Sequence, residues 1–531
     1  MALPGMELLL GGLRSGRRPF VCSFGMAGGG ASSVGPQWPS LDELIKDLPA
    51  VNFRGEGKTP VRALVTDSRR VAPGSLFFAL GGLRTDGNLY IEEAIDRGAV
   101  GIVSESPAES IRQVPYLQVE DCRAALAEVA RRFHGRPDDE LDLFAVTGTN
   151  GKTTVSFLAQ HLLADEPHTV GLIGTVHYDL GKRTLPSYKT TPESLDIYSM
   201  LSQMVSEGCK QAVVEVSSHA IQQQRVDGVR FPVAAFLNLT QDHIDYHRNM
   251  EAYFEAKSRL FTGALGSVPK VALINIDDPY GRRLVGMVPE GVKVITYGVC
   301  ADADLRAEHI KLGAQGSSFD LVWPEGRVRV ETPLLGHYNV ANTVAAVGLA
   351  YAHGKSPADL VERIASFKGV PGRMEKVVSG QPYQVLVDYA HTDDALSNAL
   401  TMLREITAGR LLVVFGCGGD RDRTKRPKMT GAVQNFADYA WATADNPRKE
   451  DLKQIFDDMR QGVSVPERIA FVDDRRRAIS LALQEAGPGD CVLIAGKGHE
   501  TYQEFSDTVV PFDDRQVARE LINLKAIEPD A

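Results

Sequence analysis

The chain has 531 residues, 43% hydrophobic and 24% charged; this balance is ordinary for a globular protein, and the length exceeds what one core serves. Asp and Glu outnumber Lys and Arg by 68 to 58, and the formal charge of −10 excludes a nucleic-acid binder that works by phosphate neutralisation. Six scattered cysteines (Cys22, Cys122, Cys209, Cys300, Cys417, Cys491) lack zinc spacing, and no apolar run reaches the roughly 18 residues that span a bilayer; a cytoplasmic protein with no membrane partner is expected.

Residues 1–40 differ from the rest. They hold one acid (Glu7), Arg14, Arg17, Arg18 and a Gly/Ala/Ser-rich stretch, while Leu8-Leu9-Leu10 is too short for a secretory signal. The segment reads as a disordered leader or an over-long start. An organelle transit peptide, with a plastid location, is the alternative.

From residue 41 the pattern becomes periodic. Strands are expected at 61–66 and 75–79, helices at 91–98 and 124–133, and a linker at 135–140. Short apolar runs at 143–147, 212–216, 234–239, 271–276 and 294–298 suit buried parallel strands, with helices at 155–163 and 250–261. Residues 302–331 look like β-hairpins, 339–353 like a helix and 368–372 like a hinge. Further strands are expected at 385–389, 411–415, 439–443, 469–472 and 491–495. Such alternation predicts three α/β domains at 41–138, 139–368 and 369–531: a mixed one, a parallel-sheet ATPase and a Rossmann-like unit.

The strongest motif is Thr147-Gly148-Thr149-Asn150-Gly151-Lys152-Thr153-Thr154, which follows a strand and opens a helix. Backbone N–H groups at such a helix start face phosphates, the glycines allow close approach, Lys152 reaches the β/γ-phosphates and Thr153 sits near Mg²⁺. Val146 stands where the full Walker pattern has its first glycine. Glu215 ends a predicted strand, where a carboxylate faces the ligand crevice and offers hard oxygen to Mg²⁺. His243 lies in a run of acids and histidines after another strand end.

Four polar clusters follow strands of the third domain: Asp388-Tyr389-Ala390-His391, 416–422, Asp445-Asn446-Pro447-Arg448, and 496–500. Turn chemistry accounts for the glycines and Asx residues there, but not for Arg421, Arg448, Lys497 and Glu500 together. Arginines clamp carboxylates and Glu500 accepts from an ammonium. Carboxylate plus ammonium describes an amino acid.

These residues, with Thr66-Asp67-Ser68-Arg69, Thr190-Thr191-Pro192-Glu193, Gln223-Gln224-Arg225, Lys257, Asn339 and Gly372-Arg373, resemble the Mur ligase family, and within it the UDP-N-acetylmuramoyl-tripeptide synthetases of meso-diaminopimelate-adding type. The resemblance covers nearly everything from residue 41. It implies ATP-dependent ligation of meso-diaminopimelate to UDP-MurNAc-L-Ala-D-Glu through an acyl phosphate, in peptidoglycan precursor synthesis, with two Mg²⁺ ions and ATP as co-substrate, by a monomer. It implies nucleotide contacts at 148–154, Asn339, Arg373 and His391. Ser68, Thr190, Thr191, Ser217, Gln223 and Arg225 would line the UDP-sugar-peptide path. Arg421, Asp445, Asn446, Pro447, Arg448, Gly496 and Glu500 would hold diaminopimelate. Thr153, Glu215, His243 and Lys257, the last as a carbamate, would serve Mg²⁺. Asp393 departs from the proline usual in the family's Asp-Tyr-Ala-His-Thr-Pro run, with a small effect expected on that turn. An L-lysine-adding or other Mur-type ligase is the enzyme alternative, and a non-catalytic plastid scaffold, a role some plant relatives have, is the other.

Overall fold

A computed structural model describes residues 38–82, 85–107, 114–165, 167–242, 244–299 and 302–527. The leader thus lies almost wholly outside the described residues, and so does His243. The chain divides into two compact units, Met1–Arg136 with Ser194–Ser202, and Pro137–Glu193 with Gln203–Ala531.

The first unit carries a sheet ordered Ala50–Arg54, Tyr116–Val119, Ala99–Ser104, Ser75–Ala79, Ala63–Val65, antiparallel at the first pair and parallel elsewhere. Ser75–Ala79 is buried at every position, as a parallel strand covered on both faces should be. Helix Cys122–Phe133 starts where the Asp121 carboxylate accepts from the N–H groups of Arg123 and Ala124.

In the second unit, parallel strands lie in the order Lys293–Gly298, Val271–Asn275, Val233–Phe236, Asp142–Thr147, Gln211–Glu215, Val170–Ile173. The sheet is flanked on one side by the hairpin His177–Asp179/Thr184–Pro186. On the other side, the expected hairpins at 302–331 are a three-stranded antiparallel meander, Leu305–Gly313, Gly316–Trp323 and Gly326–Thr332. Strand Asp142–Thr147 comes first in this sheet's chain order yet sits in the middle, with later strands on both sides. The ends of Asp142–Thr147, Gln211–Glu215 and Val233–Phe236 therefore open together at the point where strand order reverses, the usual ligand crevice of such sheets. Helix His337–Ala352 is apolar nearly all round because it is buried nearly all round.

A further sheet in the same unit runs Glu375–Lys376, Gln384–Asp388, Cys491–Ala495, Leu411–Cys417, Tyr439–Ala444, Ile469–Val472, parallel except at its first pair. The strands preceding the four polar clusters are thus consecutive neighbours. Among the described residues three α/β sheets are present, one in the first unit and two in the second, beside a separate two-stranded hairpin. Asp393 opens helix Asp393–Ile406, whose first turn Thr392 caps at the Ala395 N–H; an acid at that end suits the helix dipole. No helix among the described residues is long and apolar enough to cross a membrane, and Cys122, Cys209, Cys417 and Cys491 are free and buried.

Candidate active site

The phosphate loop leaves strand Asp142–Thr147 and ends at helix Lys152–Leu163, with Gly151 at φ 89° as its N-cap. A Cβ on Gly151 would lie 2.4 Å from Asn342 Oδ1, so both conformation and space demand glycine there. Asn238 clamps the loop: its Oδ1 accepts from the Asn150 N–H at 2.9 Å and its Nδ2 donates to the Asn150 carbonyl at 3.0 Å. The Thr149 hydroxyl accepts from the Thr240 N–H at 3.0 Å and meets the Tyr253 hydroxyl at 3.2 Å. Thr154 is buried in the first helical turn.

Two lysine ammonium groups converge on one carbonyl. Lys152 Nζ donates to the Gly148 and Thr149 carbonyls at 2.9 and 2.8 Å, and Lys257 Nζ donates to the same Gly148 carbonyl at 2.8 Å. Lys257, on helix Met250–Thr262, is 1% exposed and lies 4.7 Å from the centre of the Tyr253 ring. Burial, then the Lys152 charge, hold its amine well below the usual lysine range, and Asp242 opposes them. Burial also lowers Lys152, against the pull of Glu215 and Asp242, while Arg373 adds to the lowering.

Glu215 is fully buried and is the hub of this crevice. Its Oε2 accepts from the hydroxyls of Thr153 at 3.1 Å and Thr175 at 2.9 Å, and its Oε1 from the Thr175 N–H at 3.0 Å. Thr175 was not singled out from sequence, because its link to Glu215 spans 40 residues. The Thr175 hydroxyl also meets that of Thr190 at 3.1 Å, and the Thr191 hydroxyl donates to the Glu215 carbonyl at 2.6 Å. Thr191 accepts from the Ser217 N–H at 3.0 Å, and Arg225 donates to the Thr191 carbonyl at 2.9 Å and to Gln223. Five of the six residues expected along the sugar-peptide path are therefore one hydrogen-bonded group beside Glu215. The sixth, Ser68, lies in the first unit and donates to Glu93 at 2.9 Å.

Asn339 is buried, donates to the Leu335 carbonyl at 2.8 Å and accepts from Asn342, the neighbour of Gly151. The Arg373 guanidinium stacks 4.5 Å from the centre of the Tyr389 ring. Gly372 before it, at φ 66°, lies where a Cβ would come within 2.0 Å of the His499 nitrogen. Exposed His391 turns its Nδ1–H to the Tyr389 carbonyl at 2.8 Å.

At the third sheet, Lys497 is completely buried and donates to Glu500 Oε2 at 2.9 Å and to Asn446 Oδ1 at 3.1 Å. Asn446 Nδ2 donates to the same Glu500 oxygen at 2.9 Å, which leaves Oε1 without a protein partner among the described residues. Arg448 donates from Nη1 to the Gly419 carbonyl at 2.8 Å, tying the loops at 416–422 and 445–448 together. A Cβ on Gly496, at φ 112°, would fall 2.7 Å from the buried Asp445. Pro447 packs so close to Gly419 that a Cβ there would sit 1.8 Å from its carbonyl oxygen. Among the described residues, exposed Arg421 reaches only the Asp420 carbonyl, at 3.3 Å.

Two buried arginines behind these loops escaped the sequence reading. Arg426 pairs with Glu450 and Asp458 at 2.8 Å each and donates to the Gly418 carbonyl, while Glu450 accepts from the Asp420 N–H at 2.6 Å. Arg475 pairs with Asp514 at 2.7 Å, both side chains fully buried, and donates to the carbonyls of Ala444 and Ala495, the ends of two site strands. A charge left alone at such depth is strongly disfavoured, so each pair fixes its loop.

Comparison with known proteins identifies the family. Family models described as "Mur ligase family, catalytic domain", "Mur ligase middle domain" and "Mur ligase, glutamate ligase domain" match residues 60–134, 146–350 and 372–498. The chain is 46% identical to the UDP-N-acetylmuramoyl-L-alanyl-D-glutamate--2,6-diaminopimelate ligase of Solibacter usitatus, over 91% of this chain and 98% of that protein. It is also 46% identical to the ligase of the same name from Geobacillus thermodenitrificans, over 90% and 98%. A solved structure of a ligase of that name is 35% identical with a TM-score of 0.68, covering 92% of this chain and 99% of that one. The D-alanyl-D-alanyl-adding ligase of Acinetobacter baumannii, 20% identical with a TM-score of 0.61 over 88% and 96%, shares the fold. The chain belongs to the Mur ligase family.

Proposed function

We propose that the protein joins meso-diaminopimelate to UDP-N-acetylmuramoyl-L-alanyl-D-glutamate at the expense of ATP; relatives matching nearly its whole length are named as ligases of that dipeptide and 2,6-diaminopimelate. The observation that carries the reading is one unit holding both a phosphate loop with a buried carboxylate hub and a loop cluster with a partnered Arg448 and Glu500. Residues 41–138 would hold the UDP, with Ser68 at the nucleoside, 139–368 the ATP and 369–531 the amino acid. Thr190, Thr191, Ser217, Gln223 and Arg225 would guide the muramyl-dipeptide to Glu215. Gly148 to Thr154, Asn339, Arg373 and His391 would take the nucleotide. Arg421, Asp445, Asn446, Pro447, Arg448, Gly496 and Glu500 would take diaminopimelate. The protein would act as a cytoplasmic monomer.

The oxygens around Glu215, a carboxylate with two threonine hydroxyls, fit Mg²⁺, a hard cation. Glu215, Thr153 and Lys257 as a carbamate would hold two ions, with His243 as a further expected ligand. When bound, such ions neutralise charge on the transferring phosphoryl group. The buried, low-pKa Lys257 amine supports the carbamate, since only a neutral amine adds to CO₂, forming the N–C bond and releasing one proton. Lys152 would give up its loop carbonyls for phosphate oxygens as the γ-phosphoryl passes to the D-Glu γ-carboxylate. Glu500 would accept from an ammonium group of diaminopimelate and Arg448 would pair with its distal carboxylate. The free amine then attacks the acyl carbon, the C–N bond forms, the C–O bond to phosphate breaks, and the amine proton leaves to solvent.

Phosphate release tests the reading. With ATP and the UDP-sugar dipeptide present, release should require meso-diaminopimelate and match, mole for mole, a product heavier by one diaminopimelate less water. Release at the same rate without any amino acid would remove the ligase reading.

A further inference from the structure

We infer that Glu504 is a specificity-positioning residue: its carboxylate sets the direction in which Arg448 presents its guanidinium to the distal carboxylate of the amino-acid substrate. The inference rests on the reading of the third-sheet loops as the amino-acid site. Glu504 ends no strand of that sheet. It sits on the separate, exposed hairpin Tyr502–Phe505/Thr508–Pro511, which the sequence reading did not use.

Two backbone bonds and one to the Asn446 side chain dock this hairpin on the 445–448 loop. The Arg448 N–H donates to the Glu504 carbonyl at 3.0 Å, the Ser506 N–H donates to the Arg448 carbonyl, and the Glu504 N–H donates to Asn446 Oδ1 at 3.0 Å. Arg448 takes the left-handed backbone, φ 53°, that this stitching demands. None of these bonds needs the Glu504 side chain, so a substitution there leaves the loop path in place.

The side chain does something separate. Arg448 Nε donates to Glu504 Oε2 at 3.0 Å while Nη1 donates to the Gly419 carbonyl at 2.8 Å. Two contacts at different nitrogens restrain a planar group. Among the described residues they leave Nη2 and one hydrogen of Nη1 without a protein partner, donors that a carboxylate can accept. With Glu504 removed, only the Gly419 carbonyl restrains a long side chain of many rotamers. The Glu504 charge works against the substrate carboxylate, but that side chain is 36% exposed and its field is screened by solvent. Positioning therefore outweighs repulsion.

Steady-state kinetics on the full chain, with ATP and UDP-sugar dipeptide saturating, separate the two effects. Glu504→Ala should raise KM for meso-diaminopimelate about tenfold and change kcat less than about twofold, as expected for a displaced binding group. Glu504→Gln keeps an oxygen to accept from Nε without the charge, and its KM should stay within about threefold of wild type. In an Arg448→Ala background, Glu504→Ala should change nothing further, because the group it positions is gone. Thermal unfolding should be alike for all variants. An unchanged KM in Glu504→Ala, with KM raised in Arg448→Ala, overturns the inference and leaves the amino-acid site standing. A Gln variant as impaired as the Ala variant also overturns it. An unchanged KM in Arg448→Ala removes the site reading itself, and the inference with it.

Discussion

Lys257→Ala is expected to lower turnover at least about a hundredfold, the loss typical of one preorganised charge-stabilising group, and to regain part of it when formate or acetate is added. The expectation starts from burial. An ammonium with 1% exposure and one carbonyl acceptor is poorly solvated, and the neighbouring Lys152 charge disfavours it further. The folded amine pKa is depressed, so the neutral form that adds CO₂ is present at lower pH than for a free lysine. Carbamate formation also releases a proton, so loading should rise with pH on both counts. A short carboxylate in the vacated space can replace the lost oxygens, which a merely destabilised variant would not permit. Protein treated with ¹³C-bicarbonate should show a carbamate carbon by NMR that Lys257→Ala lacks. A fully active Lys257→Ala protein would show that no carbamate is needed.

Lys152→Ala should abolish phosphate release while leaving the affinity for the UDP-sugar dipeptide nearly intact in calorimetry. Lys152 is in the second unit at the phosphate loop, and the proposed nucleoside contact Ser68 is in the first. Its Nζ already spans the Gly148 and Thr149 carbonyls, where phosphate oxygens would replace them. Loss of such a contact to a transferring phosphoryl group costs several kcal/mol of the barrier, on the order of 3. Retention of more than about a tenth of wild-type turnover, a cost near 1.4 kcal/mol, would be too small for that role.

Much of this site is legible in the sequence because its parts are local. The phosphate loop, Glu215 and the 445–448 and 496–500 clusters each sit where an apolar strand stops, and the strands themselves are continuous buried runs. Elements with weak local signals escaped. Helix Ser194–Ser206 begins at Glu193 with no side-chain cap, and strand Val170–Ile173 has only four residues. The loops were visible but their supports were not, since those are ion pairs between distant residues. Arg475 with Asp514 is 39 residues apart and Arg448 with Glu504 is 56. Nothing in the local pattern around Glu504 separates it from any other acid on an exposed strand. His243 lies outside the described residues, so its expected role rests on its place in the sequence and on the family resemblance.

Amino-acid choice tests the account most directly. Arg448 would pair with the distal carboxylate of meso-diaminopimelate, and L-lysine would bring only an ammonium to the same guanidinium, adding repulsion to lost attraction. The measurement is kcat/KM for both amino acids with wild type and Arg448→Ala. Wild type should favour diaminopimelate by at least about a hundredfold, roughly 2.7 kcal/mol, and the variant should lose most of that preference. Equal use of lysine by the wild-type protein would contradict the diaminopimelate assignment.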